Sequence, residues 1–246
     1  MSMDILVLGA GNVVRTDNGF PAFLNETDNG MMLLEHIVER LRIIPSARLY
    51  FAFLAEDARR YHLDSVAQRL SDGAQIVRVP SHTKGAACTA LLAVDHIEPE
   101  HELLLVSANE IIDADLARIT ETFRARDWDA ATLTFRSLHP RYSYVALDND
   151  GLVAQASQCN PISNHATTGL FWFRKARDFI EAAKNAIRKD ASHDGNYYVA
   201  PLFNELLLMG KKVGHMPIDP KAYKPLKSAK QMASFETAHH LHAVAA

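Results

Sequence analysis

The sequence predicts an α/β protein: a mixed, mostly parallel sheet flanked by helices, with an added β-hairpin region. Two observations carry that expectation. Through the first half of the chain, short continuous apolar runs alternate with stretches whose apolar residues recur at helical spacing, the pattern of repeated β-α units. After about residue 130 short strand-like runs follow one another closely. Two of them are joined by Asp148-Asn149-Asp150-Gly151, a hairpin signal.

Element by element, Ile5–Leu8 is an apolar run ending in Gly9-Ala10-Gly11, as a buried strand entering a loop reads. Met32, Leu33, His36, Ile37 and Leu41 mark a helix, and Met31-Met32-Leu33-Leu34 is a core stripe. Leu49–Leu54 is the next strand, Ala58–Leu70 a helix and Ile76–Val79 a third strand. Gly85 opens an Ala- and Leu-rich helix reaching about Ile97. Leu103–Val106 is a fourth strand, and Asp113 or Asp115 caps the helix toward Phe123. Ala131–Phe135, Tyr142–Leu147, Leu152–Ala156 and Thr167–Phe173 read as strands, then Lys175–Lys189 as an amphipathic helix. Tyr198–Met209 is a last long helix with Gly210 at its C′ position, and Lys212–Ile218 a final strand. A single α/β domain over 1–237 and a disordered tail over 238–246 is the expected division.

Composition narrows the function classes. Lys plus Arg total 26 and Asp plus Glu 29, a net charge of -3. A general nucleic-acid or anionic-membrane binder carries a basic excess, and this chain has none. Its two cysteines, Cys88 and Cys159, are too few for a disulfide scaffold and fit a reducing cytosol. No apolar run approaches the ~18 residues of a membrane span, and the start reads as no signal peptide. A cytoplasmic enzyme or binding protein, with a homo-oligomer open to it, is the expectation.

The strand–Gly loop at Leu8-Gly9-Ala10-Gly11 is the first candidate site. Glycines admit a phosphate close to the backbone, and free N–H groups near a helix start stabilise anions. A dinucleotide fingerprint fits poorly, because Val14 stands at the third glycine's place and Glu56-Asp57 lies too far on. A plain tight turn and a nucleotide-phosphate loop of another kind both remain open. No Gly-x-Ser-x-Gly elbow is present for a serine hydrolase. Cys159 lacks a neighbouring His or Lys and reads as buried and inert.

Longer stretches resemble a family. Ala10-Gly11 followed by Arg15, then Pro21-Ala22-Phe23-Leu24, resembles the opening loop of sugar-phosphate nucleotidyltransferases. Thr83-Lys84-Gly85-Ala86-Ala87 resembles that family's Gly-Ala helix start, and Ser107-Ala108-Asn109-Glu110 sits where it has a strand-end metal-binding segment. His139-Pro140-Arg141-Tyr142, Asn160-Pro161-Ile162-Ser163 with Ala166-Thr167-Thr168-Gly169, and Tyr197-Tyr198-Val199-Ala200-Pro201 resemble a branch linked to capsule and lipopolysaccharide biosynthesis. The resemblance covers roughly residues 3–235 and implies a glycosyltransferase-A-like, Rossmann-like fold. It implies transfer of a nucleotide from a nucleoside triphosphate to a sugar phosphate, with Mg²⁺ as a possible cofactor.

Carried onto this sequence, the resemblance makes Arg15, Asn109, Glu110 and Arg141 the catalytic candidates, with Asn109 also the metal candidate. Gly9, Ala10, Gly11, Thr83, Gly85 and Ala86 would hold the nucleotide, and His139, Gly169 and Asn196 the substrate. Four charged stations of the family are neutral here: its loop lysine falls at Ala22, its metal aspartate at Asn109, its Glu-Lys pair at Gln158-Cys159 and a glutamate at Asn196. Phosphoryl-type transfer relies on charge stabilisation, and one lost donor can cost about 3–4 kcal/mol. Two alternatives therefore stand beside nucleotidyl transfer. One is a glycosyltransferase using Asp113-Ala114-Asp115, whose plainer reading is helix capping. The other is a binding or regulatory protein that keeps the pocket without the reaction. Lys221, Lys224, Lys227 and Lys230 read as a solvated basic face, and His239, His240 and His242 as part of the terminal tail.

Overall fold

The computed structural model describes residues 2–11, 15, 19–26, 30–226 and 231. In chain order it contains β1 (Met3–Leu8), α1 (Leu33–Arg42), β2 (Ala47–Leu54), α2 (Ala55–Arg60), α3 (Leu63–Leu70), β3 (Gln75–Val79), α4 (Ala86–Leu91), β4 (Glu102–Ser107) and β5 (Glu110–Ile112). There follow α5 (Leu116–Ala125), β6 (Ala130–Arg136), β7 (Ser143–Leu147), β8 (Val153–Gln158), β9 (His165–Phe173), α6 (Ala176–Arg188), α7 (Leu202–Leu208), β10 (Val213–Pro217) and β11 (Tyr223–Pro225).

The main sheet runs β10-β6-β9-β4-β1-β2-β3, with β7 and β8 added beside β9. Pairs β1–β2, β1–β4, β2–β3 and β6–β10 are parallel, and β9 runs antiparallel to both its neighbours, β4 and β6. Alternation along the strands splits the core in two. Ile5, Val7, Phe51, Phe53, Leu104 and Val106 point to one face, while Leu6, Tyr50, Ala52, Leu103 and Leu105 point to the other. Both sets are buried because helices cover each face: α1, α3 and α5 on the first, α4, α6 and α7 on the second. The hairpin forms as expected, with Gly151 at φ 78 and Asp148 accepting the N–H groups of Asp150 and Leu152 at 2.9 Å.

Several elements differ from expectation. The helix over 58–70 is broken into α2 and α3 at His62, which adopts φ 52. Buried Ala58 and Leu63 are five residues apart, a spacing one helical stripe does not bring onto one face. The helix from Gly85 ends at Leu91, followed by a 3-10 turn at Val94–His96. The last helix begins at Leu202, not Tyr198, because Tyr197 is held to another segment and Pro201 opens the helix. The Pro- and Lys-rich C-terminal stretch contains β11, which pairs antiparallel with β5, and Lys224 lies 3.6 Å from Asp113. Val13, Val14, Lys227, Lys230, His239, His240, His242 and the tail over 238–246 lie outside the described residues. Among the described residues, no helix is long and apolar enough to cross a membrane.

Candidate functional site

A cavity of about 620 Å³ opens at the C-terminal ends of β1 and β4, where open α/β sheets place their ligands. The parallel register puts Leu8 beside Ser107, so both strands end at its floor. It is walled by Ala10-Gly11 after β1, Thr83, Gly85, Ala86 and Thr89 around the start of α4, Ser107 to Asn109 at the end of β4, Arg141 to Ser143 with Gln158-Cys159 from the hairpin region, Thr167 to Gly169 on β9, and Asn196 with Tyr198 to Ala200 before α7. Segments far apart in sequence thus meet around one space of ligand size.

The turn into α4 is built on Gly85. Its φ of 97 lies in the region side chains avoid, and a Cβ there would run into the Tyr197 backbone. The close approach lets Tyr197 donate its N–H to Lys84 O at 2.8 Å and accept the Ala87 N–H at 3.0 Å. The two walls at Thr83–Ala86 and Asn196–Ala200 are thereby joined. Thr83 Oγ1 and Thr89 Oγ1 lie 2.7 Å apart across the same turn.

Of the residues expected at a site, Ala10, Gly11, Thr83, Gly85, Ala86, Asn109, Arg141, Gly169 and Asn196 line the cavity. Four do not. Gly9 packs under it, where an added Cβ would sit 2.6 Å from the Phe53 ring. Arg15 turns to the buried Asp57, both carboxylate oxygens at 3.1 Å, and to Gly19 O. His139 lies outside and supports Arg141, whose N–H and Nε–H groups donate to His139 Nδ1 at 3.2 and 3.3 Å. Glu110 is fully buried: its carboxylate accepts the Gly169 N–H, and the Tyr223 hydroxyl at 2.9 Å. A Cβ at Gly169 would fall 2.7 Å from Ser107 Cβ and 2.8 Å from Glu110 Oε1, so glycine permits that packing. Glu110 is a brace between β9 and β11 on the far side of the cavity wall.

Asp113 and Asp115 are also engaged elsewhere. Asp113 pairs with Arg40 at 2.7 Å, and Asp115 caps α5 by accepting the Arg118 N–H at 3.0 Å. Helix capping accounts for Asp115.

Cys159, expected as a buried structural residue, is half-buried on the cavity wall in a left-handed conformation (φ 58). Ser107, Ser143, Thr167, Thr168 and Tyr198 stand inside or beside the family-like segments but have no expected site role. They line the cavity because of where their strands and loops end, which no local pattern signals. Burial pushes the phenols of Tyr142 and Tyr198 above the usual tyrosine value, so both stay protonated donors at neutral pH.

The lining has a consistent chemistry. Hydroxyls, amides and backbone dominate; Arg141 is the full cation, and neither Asp nor Glu is among the described lining residues. The neutral residues at Asn109, Gln158-Cys159 and Asn196 all line this one space, while Ala22 is buried and is not among its lining residues. Mg²⁺ takes oxygen ligands and is commonly held through one or two carboxylates with substrate phosphates. Asn109 Oδ1 already accepts the Ser107 hydroxyl at 2.6 Å. Among the described residues, no group of three or more His, Cys, Asp or Glu is placed to hold a metal. These residues do not fit Mg²⁺.

No family model matches the chain, and no curated protein matches it in sequence. Solved structures share its fold. The nucleoside-diphosphate-sugar pyrophosphorylase from Vibrio cholerae RC9 superposes with a TM-score of 0.79 at 20% identity, covering 94% of this chain and 99% of that one. A Bacillus anthracis protein, provisionally named a glucose-1-phosphate thymidylyltransferase and solved with sucrose, gives 0.78 at 13% identity, covering 96% and 95%. The chain therefore shares the fold of these two proteins over 94% and 96% of its length.

Proposed function

We propose that the chain is a sugar-nucleotide-binding protein on a nucleotidyltransferase scaffold, acting in surface-polysaccharide metabolism. The observation that carries the reading is the cavity itself. It opens at the strand ends of this fold and joins the Gly-Ala turn at Gly85-Ala86 to the wall that holds Arg141. Ala10, Gly11, Thr83 and Ala86 would border the nucleotide, with backbone and hydroxyl donors suited to base and phosphate oxygens. Arg141, steadied by His139, would pair with a phosphate of the sugar part. Asn196 and Gly169 would shape the sugar end. The polysaccharide role rests on the resemblance of the Pro161–Gly169 and Tyr197–Pro201 segments to the capsule and lipopolysaccharide branch.

A second reading keeps the reaction, sugar-nucleotidyl transfer, and is favoured by the end-to-end fold likeness to a pyrophosphorylase. In that reaction a sugar-phosphate oxygen attacks the α-phosphorus of a nucleoside triphosphate and pyrophosphate leaves. Arg141 and the Asn109 amide would be the donors on hand to offset the developing charge.

Thermal stabilisation by a panel of nucleoside triphosphates, nucleoside diphosphate sugars and sugar phosphates tests the first reading. A ligand at about 100 times its dissociation constant adds about 2.7 kcal/mol, or roughly 5–10 °C for a chain of this size. No shift with any of them would refute it. Pyrophosphate release from a triphosphate and a sugar phosphate would promote the second reading over the first.

A further inference from the structure

We infer that the cavity binds its ligand without a divalent cation, and that it therefore takes a nucleoside diphosphate sugar in preference to a nucleoside triphosphate. The inference rests on the sugar-nucleotide reading above and specifies the charge state of the ligand. Three observations carry it.

The first is the donor balance of the wall. A metal-bridged polyphosphate needs acidic oxygen ligands on the protein side, and the described lining residues offer none. The second is the state of Asn109, at the strand end nearest the floor. The Ser107 hydroxyl takes one of the two acceptor positions of its Oδ1, and its Nδ2 amide is a donor. An N–H donor attracts a ligand oxygen and repels a cation. The third is Arg141. Its guanidinium is held by the His139 ring, forms no ion pair with a carboxylate among the described residues, and lines the cavity.

Together the described residues make a site with one full positive charge, several neutral donors and no carboxylate to hold Mg²⁺. A diphosphate sugar brings about two negative charges and a triphosphate about four, and charge taken out of water must be paired or hydrogen-bonded. One guanidinium with N–H and O–H donors suits the diphosphate. The triphosphate would arrive with surplus charge, and a metal brought in to offset it would find no carboxylate ligand among the described lining residues.

The experiment is isothermal titration of the full chain with nucleoside diphosphate glucoses of the common bases and with the matching triphosphates, each in excess EDTA and in excess Mg²⁺. One diphosphate glucose is expected to bind with the same dissociation constant in both buffers, within about twofold, and more tightly than its triphosphate in EDTA. Arg141→Gln is expected to weaken that binding by about ten- to a hundredfold, with an unchanged melting temperature because Arg141 is exposed. Asn109→Asp places a carboxylate where the amide donates, so binding should weaken in EDTA and recover in Mg²⁺. Wild-type binding that needs Mg²⁺, or a triphosphate that outcompetes the diphosphate sugar in EDTA, overturns the inference and leaves the sugar-nucleotide reading standing. Failure of every nucleotide in both buffers overturns that reading itself, and the inference with it.

Discussion

Replacing Glu110 separates a ligand-contacting carboxylate from a buried brace. Its side chain is 1% exposed and accepts from Gly169 N–H and from the hydroxyl of Tyr223, itself 6% exposed. Tyr223 is held protonated, its phenol raised well above the usual value by burial and by the neighbouring carboxylate, so it donates. Glu110→Ala removes the acceptor for both. Each buried donor left unsatisfied costs about 1–3 kcal/mol, and the truncated side chain leaves a void, for a total of about 3–5 kcal/mol.

Glu110→Gln has the same shape. Its Oε1 still accepts the Gly169 N–H, but its Nε2 faces a hydroxyl that must now find another acceptor, a cost of about 1–2 kcal/mol. The assay is urea unfolding of wild type and both variants, read beside ligand binding. At roughly 2–4 °C per kcal/mol for this length, Glu110→Ala should melt roughly 6–20 °C lower, with Glu110→Gln in between. If Glu110→Ala unfolds within about 1 kcal/mol of wild type while ligand binding disappears, the brace is wrong and Glu110 is a ligand group after all.

The remaining predictions concern other parts of the same architecture. Gly85→Ala puts a side chain at φ 97 and against the Tyr197 backbone, so it should lose about 2–4 kcal/mol in urea unfolding; a loss under half a kilocalorie would mean the two walls are not joined there. Ligand should slow alkylation of Cys159 on the cavity wall, while Cys88, its thiol pushed up by burial, reacts slowly with or without ligand; peptide mass mapping with identical Cys159 labelling in both states would contradict this placement. His215 has its pKa lowered by burial and then by His165, and its Nδ1 lies 2.9 Å from Thr134 Oγ1. Its contribution is therefore present above about pH 6.5 and is lost as pH falls, because the unfolded histidine takes a proton the folded one resists. Urea midpoints at about pH 7.5 and 5.5 should fall further for wild type than for His215→Gln.

The fold was legible in the sequence to the extent that its signals are local. Buried parallel strands such as β1 and β4 are continuous apolar runs, and α1 and α6 carry one apolar stripe each. The break between α2 and α3 was not legible, because it rests on the left-handed turn at His62 that brings Ala58 and Leu63 into the core together. The β5–β11 pair was not legible: strands of three residues, more than a hundred positions apart, leave no periodic trace. The surroundings of Glu110 were not legible for the same reason. Its sequence neighbours place it at a strand end, but its partners, Gly169 and Tyr223, come from distant segments that only the sheet assembles. Arg15 likewise follows a glycine loop, and the buried Asp57 on α2 takes its guanidinium.

What tertiary structure adds is the arrangement of the neutral stations. Along the chain, Asn109, Gln158-Cys159 and Asn196 are separate departures from a charged pattern. In space they converge on one cavity, and the nearest acids are turned away: Glu110 into the core, Asp113 to Arg40, Asp115 to its helix N-terminus. The cavity is hydrogen-bonded within itself, Ser107 to Asn109, Thr83 to Thr89 and Ser143 to Gln158. That self-consistency argues for a pocket fitted to a ligand of lower charge, and it is why Asn109→Asp is the sharper test: restoring one acid should create a metal requirement that the wild-type wall does not have.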